Sequence, residues 1–457
     1  MKLPHVVIVW SLSSVAMAGT TYFVDSEGGD DAANGQSERT AWKTLGRINR
    51  GEVGPGDTVL LKRGGLWRET LRPVSGRPGQ PVCYSSYGSG RKPVIQRSLD
   101  FSRRDDWAQI GNGLWVTDGR RPITRDVGIV IFDHGRRWGV KTWRREGWQV
   151  PNSPYWRRHA QLKEELDYRY EPEEKRVVVR LRANPAALFR SVELVLTEHG
   201  VDQDRAHDVV YDGLWVRYCG AHGFAGSSTA RIVIRNCDIS WIGGGLQMWR
   251  RQKDGRLWYP VRYGNGIEFW CDCRDNLVEN NRVWEIYDAA LTNQGRKSDQ
   301  QNIVWRSNLV WHAEYSFEHW NEGRTKDVSF MHNMCVDAGE GWGHGQRATP
   351  NGAHLMYYHN SADASGVVVA SNCFVNATEW TMRAGTDWRR GLRQDGNVIW
   401  NEKTVPVCRW LDGPSLRFLD WDGYQALGFD GHGEWRMPAA CLRIKKEFQA
   451  IERQEDR

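Results

Sequence analysis

Five short segments of this chain end alike. Ile232-Val-Ile-Arg-Asn236, Leu277-Val-Glu-Asn-Asn281, Val304-Trp-Arg-Ser-Asn308, Ser329-Phe-Met-His-Asn333 and Val368-Val-Ala-Ser-Asn372 each place Asn after a β-rich run and before another. Val209-Val-Tyr-Asp-Gly213 fits the pattern with Gly in the Asn position. A period of about 25 residues, interrupted by two loop insertions, accounts for the spacing. A unit of this size cannot bury its own apolar face, so the units must stack into a continuous core. An Asn at one recurrent turn can then form a ladder, each amide bonding backbone in its own or the neighbouring unit. Asn also tolerates the left-handed conformation that a sharp corner between strands needs.

The rest of the chain reads as an elaboration of this stack. Residues 19–98 form a front segment. Strands are expected at Tyr22–Asp25, Thr58–Leu61, Trp67–Leu71, Val82–Tyr84 and Val94–Ile95, with Gly-rich turns between them. Trp42, Leu45 and Ile48 have helical spacing within 40–49, so a short helical cap is expected at the front of an all-β solenoid. Residues 99–205 carry clustered charge and Trp (107, 115, 138, 143, 148, 156) and two strong strand signals, 177–181 and 192–196. They read as a β-rich insertion or as elaborated coils. The main coils occupy 206–430, and 431–457 is a C-terminal tail.

Residues 1–18 have the form of a signal peptide: Lys2, an apolar stretch from Val6 to Val15, and Ala16-Met17-Ala18 as a cleavage site. A secreted or periplasmic protein is therefore expected. Elsewhere no run approaches the ~20 apolar residues of a membrane helix. The nine cysteines include no zinc-type CxxC pair and read as mostly buried thiols, with room for one disulfide. With 40% apolar and 26% charged residues the chain is not disordered. Its net charge of +6 is spread without a Lys/Arg block, which argues against a nucleic-acid partner.

The arrangement resembles right-handed parallel β-helix proteins of the pectate-lyase-like superfamily, the polysaccharide-lyase and glycoside-hydrolase kind. The resemblance runs from Tyr22 to about Asp430. Tyr22-Phe-Val-Asp-Ser26, Ala41-Trp-Lys-Thr-Leu45, Gly56-Asp-Thr-Val-Leu-Leu-Lys-Arg-Gly64 and Tyr87-Gly-Ser-Gly-Arg-Lys-Pro-Val-Ile95 look like that superfamily's first coils. Phe418-Leu-Asp-Trp421 and Gly428-Phe-Asp430 look like its closing segment. The resemblance implies the right-handed parallel β-helix fold. It leaves activity open, because the superfamily holds lyases, hydrolases, epimerases and non-catalytic proteins.

Candidate chemistry gathers between Tyr263 and His359, where short apolar runs alternate with Gly, Asn, Asp, Glu, His and Trp. Ile267-Glu268-Phe269-Trp270 and Phe317-Glu318-His319-Trp320 share an apolar-Glu-x-Trp pattern. With Ile267 and Phe317 in the core, Glu268, Trp270, Glu318 and Trp320 face outward together. The coil carrying Asp288 to Gln294 lies between them, so the glutamates are expected roughly 9–10 Å apart at the backbone. Paired carboxylates flanked by Trp suit glycoside hydrolysis. Glu268 and Glu318 are the candidate acid and base, with Asp288 the alternate. Trp270, Trp320, His319, His344, Arg347, Asn293 and Gln294 are the candidate sugar-binding residues.

A second set competes for the same surface. Six of the 13 histidines (312, 319, 332, 344, 354, 359) fall in this stretch. Residues eleven past the ladder Asn are Thr292, His319, His344 and Arg383, which are expected to stack as a column. His344, Gln346, Arg347 and His354, with Asn351 in a turn, read as a polar wall. A polysaccharide lyase needs a carboxylate neutraliser and a proton acceptor; Arg347 and His344 or His354 fill those roles in the alternative reading. A non-catalytic glycan-binding protein is the third reading. No cofactor is required by any of them. Calcium could be taken by Asp272 and Asp275, or by the acids of 25–31; no EF-hand loop or HExxH motif is present. The partner expected is a polysaccharide or oligosaccharide, and the chain a monomer.

Overall fold

The computed structural model describes residues 19–143, 162–251, 253, 255, 257–347, 350–360, 364–438 and 448. The candidate signal peptide, Trp148 and Trp156 lie outside them. The chain is mostly β. Ten strands, from Thr21–Val24 to Leu392–Asp395, form one sheet in which every pairing is parallel. A second, larger sheet is parallel apart from the pairing of Cys408–Asp412 with Ser415–Leu419. The chain visits the two sheets in turn. Arg274–Glu279, Gln300–Arg306 and Thr325–Met331 belong to the first, and the intervening Arg282–Gly295 and Leu309–Asn321 to the second. Val278, Trp305 and Phe330 from one sheet and Leu291, Phe317 and Leu355 from the other share one fully buried core.

The Asn ladder exists, one residue out of the expected register at its start. Asn281, Asn308, Asn333, Asn372 and Asn397 are buried, and each gives its backbone N–H and its side-chain amide to the Oδ1 of the next residue along the stack. Asp430 ends the row by accepting both from Asn397. Each amide also donates back to a strand carbonyl, from Ile234 to Val369. Asn236 is not a rung: Val233 pairs with Leu277, which aligns Asn236 with Asn280 and puts Cys237 in the ladder position. The left-handed residue is the one before each rung (Asn280, Ser307, His332, Ser371), so turning the corner and satisfying the buried backbone fall to different residues.

The helical signal at 40–49 folds as a 3₁₀ turn, Leu45–Arg50, capped by Thr44 and packing Leu45 and Ile48 into the core. Residues 98–143 and 162–196 build two small, largely antiparallel sheets with their own core around Phe101, Val130, Phe132, Tyr168, Val179 and Leu194. The eight described cysteines are free thiols. Among the described residues no helix is long and apolar enough to cross a membrane.

Candidate active site

The site grows from one column of the second sheet. Ile267 and Phe269 enter the core, so Glu268 and Trp270 take the opposite face of the strand Ile267–Trp270. Glu268 pairs with Thr292, and Thr292 with Glu318. The two glutamates are thus two strands apart in one register, about 10 Å at the backbone. Trp270, Gln294 and Trp320 form the next column outward. The two Trp rings are half-buried and meet edge to face, with centroids 5.5 Å apart. Gln294 lies between them and donates to Thr292 Oγ1.

Glu268 is held by neighbours that the sequence did not single out. The Asn265 side-chain oxygen accepts the Ala289 N–H at 2.9 Å, which turns its amide nitrogen to Glu268 Oε2 at 2.5 Å. The Asn265 backbone N–H donates to His222 Nδ1 at 2.9 Å. Burial drives the His222 pKa down to about 3, so the ring is neutral and carries its proton on Nε2, which faces Glu268 Oε1 at 3.4 Å. Burial also pushes the Glu268 carboxyl up to about 7, against the Asn265 hydrogen bond that lowers it.

Asp288 and Glu314 flank a half-buried arginine. Arg347 donates through Nη1 to the Tyr287 carbonyl at 2.6 Å and through Nη2 to Asp288 Oδ1 at 3.1 Å, and its Nε lies 3.4 Å from Glu314 Oε1. His344 Nδ1 lies 2.9 Å from Glu314 Oε2, and the Asn351 N–H donates to Oε1 at 2.6 Å. Burial opposes ionisation of Glu314, but Arg347, His344 and Asn351 together hold its pKa below the ordinary range. Asp288 ends up raised: burial outweighs the pull of Arg347, and Glu314 and Glu268 add to the rise. Glu318 is raised well above the ordinary range by burial, then by Asp288 and Glu268, with Arg347 and Arg383 opposing. Among the described residues no hydrogen bond reaches the Glu318 carboxyl. Three carboxyls therefore converge in a poorly solvated space, one of them with no hydrogen bond from the described residues to its anion.

The loop Gly341–Arg347 that delivers His344 and Arg347 is fixed from outside the stack. Trp342 donates from its backbone to Glu285 Oε2 and from its ring to the Glu285 carbonyl. Gln346 accepts from the Lys141 N–H and from Arg262 Nη1 and donates to the Gly139 carbonyl. The insertion thus buttresses the site.

Four expectations are corrected here. His319 and Asn293 face the core: Asn293 accepts from the Trp305 ring, His319 bonds Asn293 and packs on Phe317, and both are fully buried. His354 bonds Ser316 and packs on Phe374 inside the stack, where burial keeps it neutral with a pKa of about 3. Gln346 is a structural clamp. The column of Thr292, His319, His344 and Arg383 does not form, because the strand Arg282–Gly295 carries an extra residue between Ile286 and Ala289, and His344 sits in a 3₁₀ turn. Asn351 reaches the site through its backbone. Missed were Asn265, His222 and Glu314. Glu314, four residues before Glu318, was open to notice.

Among the described residues no cluster of three or more His, Cys, Asp or Glu is arranged to hold a metal ion. Of the acids considered for calcium, Asp272 accepts from Asp299 N, Asp275 from Asn302, Asp25 from Lys62, and Asp31 from Lys43 N and Thr44.

No family model matches the chain. A stretch of 90 residues is 38% identical to lacto-N-biosidase from Bifidobacterium longum subsp. longum, covering 18% of this chain and 6% of that protein. Among solved structures, one described as a glycoside hydrolase covers 91% of this chain and 99% of its own at 11% identity, with a TM-score of 0.47. A GH136 lacto-N-biosidase from Eubacterium ramulus covers 86% and 67% at 14% identity and a TM-score of 0.36. An alginate lyase from Paenibacillus sp. covers 86% and 97% at 10% identity and a TM-score of 0.40. None of these likenesses is close enough to identify a family.

Proposed function

We propose that the chain winds as a right-handed parallel β-helix and is an exported glycoside hydrolase that cleaves a polysaccharide or oligosaccharide by inversion. The register that aligns Glu268 and Glu318 across Thr292 carries this reading. Backbones about 10 Å apart allow carboxyls at the ~6.5–9.5 Å of inverting enzymes, leaving room for a water. Glu318, raised and without a hydrogen-bond donor among the described residues, is the general acid that protonates the leaving oxygen. Glu268, oriented by Asn265 and His222, is the base that takes a proton from the attacking water. Asp288, tied to Arg347, is the third carboxyl and keeps the Glu318 proton in place by its charge. Trp270 and Trp320 offer apolar faces for sugar rings. No cofactor enters this reading, and the export assignment rests on residues 1–18.

The lyase alternative loses its residues. Arg347 is already paired with Asp288 and Glu314, His344 with Glu314, and His354 is in the core. The test is a screen of the purified chain against neutral and uronic-acid polysaccharides, reading reducing ends and ultraviolet absorbance together. Reducing ends alone, abolished by Glu268→Gln and by Glu318→Gln, are expected. An unsaturated, absorbing product would overturn hydrolysis.

A further inference from the structure

The column that holds Glu268 and Glu318 continues in the same sheet through Met356 to Arg383 and Arg409. Arg383 lies directly opposite Arg409, and like charges in that position repel. Among the described residues neither forms an ion pair or donates to a carboxylate, whereas other arginines in this sheet do: Arg282 grips Asp238 with two nitrogens. Both are half-buried and backed by aromatic rings. The Arg383 guanidinium stands 5.1 Å from the Tyr358 ring and that of Arg409 5.6 Å from the Trp380 ring. Trp380 is itself more than nine-tenths buried, and its indole N–H has no partner among the described residues. Burial, and then the neighbouring Arg383, pull the Arg409 pKa below its ordinary value.

We infer that Arg383 and Arg409 form an anion-binding subsite for a carboxylated or sulfated sugar of the substrate, next to the sugar whose linkage Glu318 protonates. The inference rests on the hydrolase reading of the acid pair and adds the substrate class. Two guanidinium forks side by side match the oxygens of one carboxylate or sulfate. The Tyr358 ring, which also neighbours Glu318, forms the floor between the two subsites. At about 4.8 Å per strand, Arg383 is about 10 Å and Arg409 about 14 Å from Glu318 at the backbone. That offset runs along the column on the side of Glu318 away from Glu268. It places the charge on a neighbouring sugar, where it fixes the register of the chain.

The test uses the full chain with glucuronate, glucose 6-sulfate and glucose as probes at matched ionic strength, followed by the thermal midpoint and by ligand-detected NMR. At least one of the two anions is expected to raise the midpoint where glucose does not, and which one acts tells carboxylate from sulfate ester. Arg383→Gln and Arg409→Gln should each weaken that response at least tenfold, and Arg383→Lys should retain part of it. A response equal for glucose, a response that survives in the double Gln variant, or silence from both anions overturns the subsite. The acid-pair reading fails separately: turnover retained in Glu268→Gln and Glu318→Gln would end it and leave the anion response unchanged.

Discussion

Glu268 and Glu318 stand on the same face of the same sheet, in register, with Thr292 between them. Their surroundings differ. Glu268 receives the Asn265 amide and faces the His222 N–H, whereas Glu318 receives no hydrogen bond from the described residues and faces two other acids. The proposed division into base and acid rests on that asymmetry, which has consequences for rate, pH dependence and stability.

Glu318→Gln should lower kcat by about 10²–10⁴-fold on natural glycosidic linkages, the range for loss of a general acid. The loss should shrink on aryl glycosides whose leaving group needs no proton. Stability should stay level or rise, because a buried carboxyl without a donor is replaced by a neutral amide. Steady-state kinetics on both substrate types and a denaturant titration check this; equal losses on both would remove Glu318 from the acid role.

The pH profile should show the Glu268 base. Its carboxyl titrates at about 7 in the folded chain, so kcat/KM should fall on the acid side of about 7 as the base is protonated. The alkaline limb belongs to the raised Glu318 and the carboxyls coupled to it. Asn265→Ala removes a hydrogen bond that favours the Glu268 anion, so the acid limb should move upward. An acid limb unmoved in that variant would detach Asn265 from Glu268.

Stability should carry the same signature. Glu268 is raised from 4.5 to about 7 by burial, so folding favours its protonated form. The benefit is full below pH 4.5 and is lost as pH rises through 7, a loss on the order of 3 kcal/mol that Glu268→Gln should not suffer. Denaturation curves at pH 5 and pH 8 should converge at the acid end and separate, in favour of the variant, at the alkaline end.

Arg347→Ala should destabilise the chain by about 3–5 kcal/mol, because the buried Glu314 and the half-buried Asp288 would lose their shared cation. Asn333→Ala should cost about 2–4 kcal/mol: its amide serves Asn308 and the Trp305 carbonyl on one side and Asn372 on the other. Chemical denaturation measures both. A ladder variant with unchanged stability would show that the rungs are interchangeable with solvent.

The stacking of units was legible because its cause is local. An Asn must recur wherever a buried corner needs its amide, and the β-rich run before it recurs with it. The shared face of Glu268 and Glu318 was legible for a similar reason, since Glu-x-Trp after an inward Ile267 or Phe317 fixes the face by alternation. Counting failed where the chain departs from a constant period. One extra residue between Ile286 and Ala289 shifts the register, so Asn281 plus eleven is Thr292 on the outer face and Asn308 plus eleven is His319 in the core. His222 and Asn265 were hidden because each sits between small residues, in Ala221-His-Gly223 and Gly264-Asn-Gly266, with no periodicity to give them a direction. Their roles come from contacts between segments 43 residues apart.

The most direct measurement is the anomeric configuration of the first product, followed by proton NMR during hydrolysis by the wild-type chain. Base and acid separated by an intervening strand, with space for a water, predict inversion at the anomeric carbon. A product that retains its configuration would contradict the Glu268–Glu318 assignment and require two carboxyls about 5 Å apart.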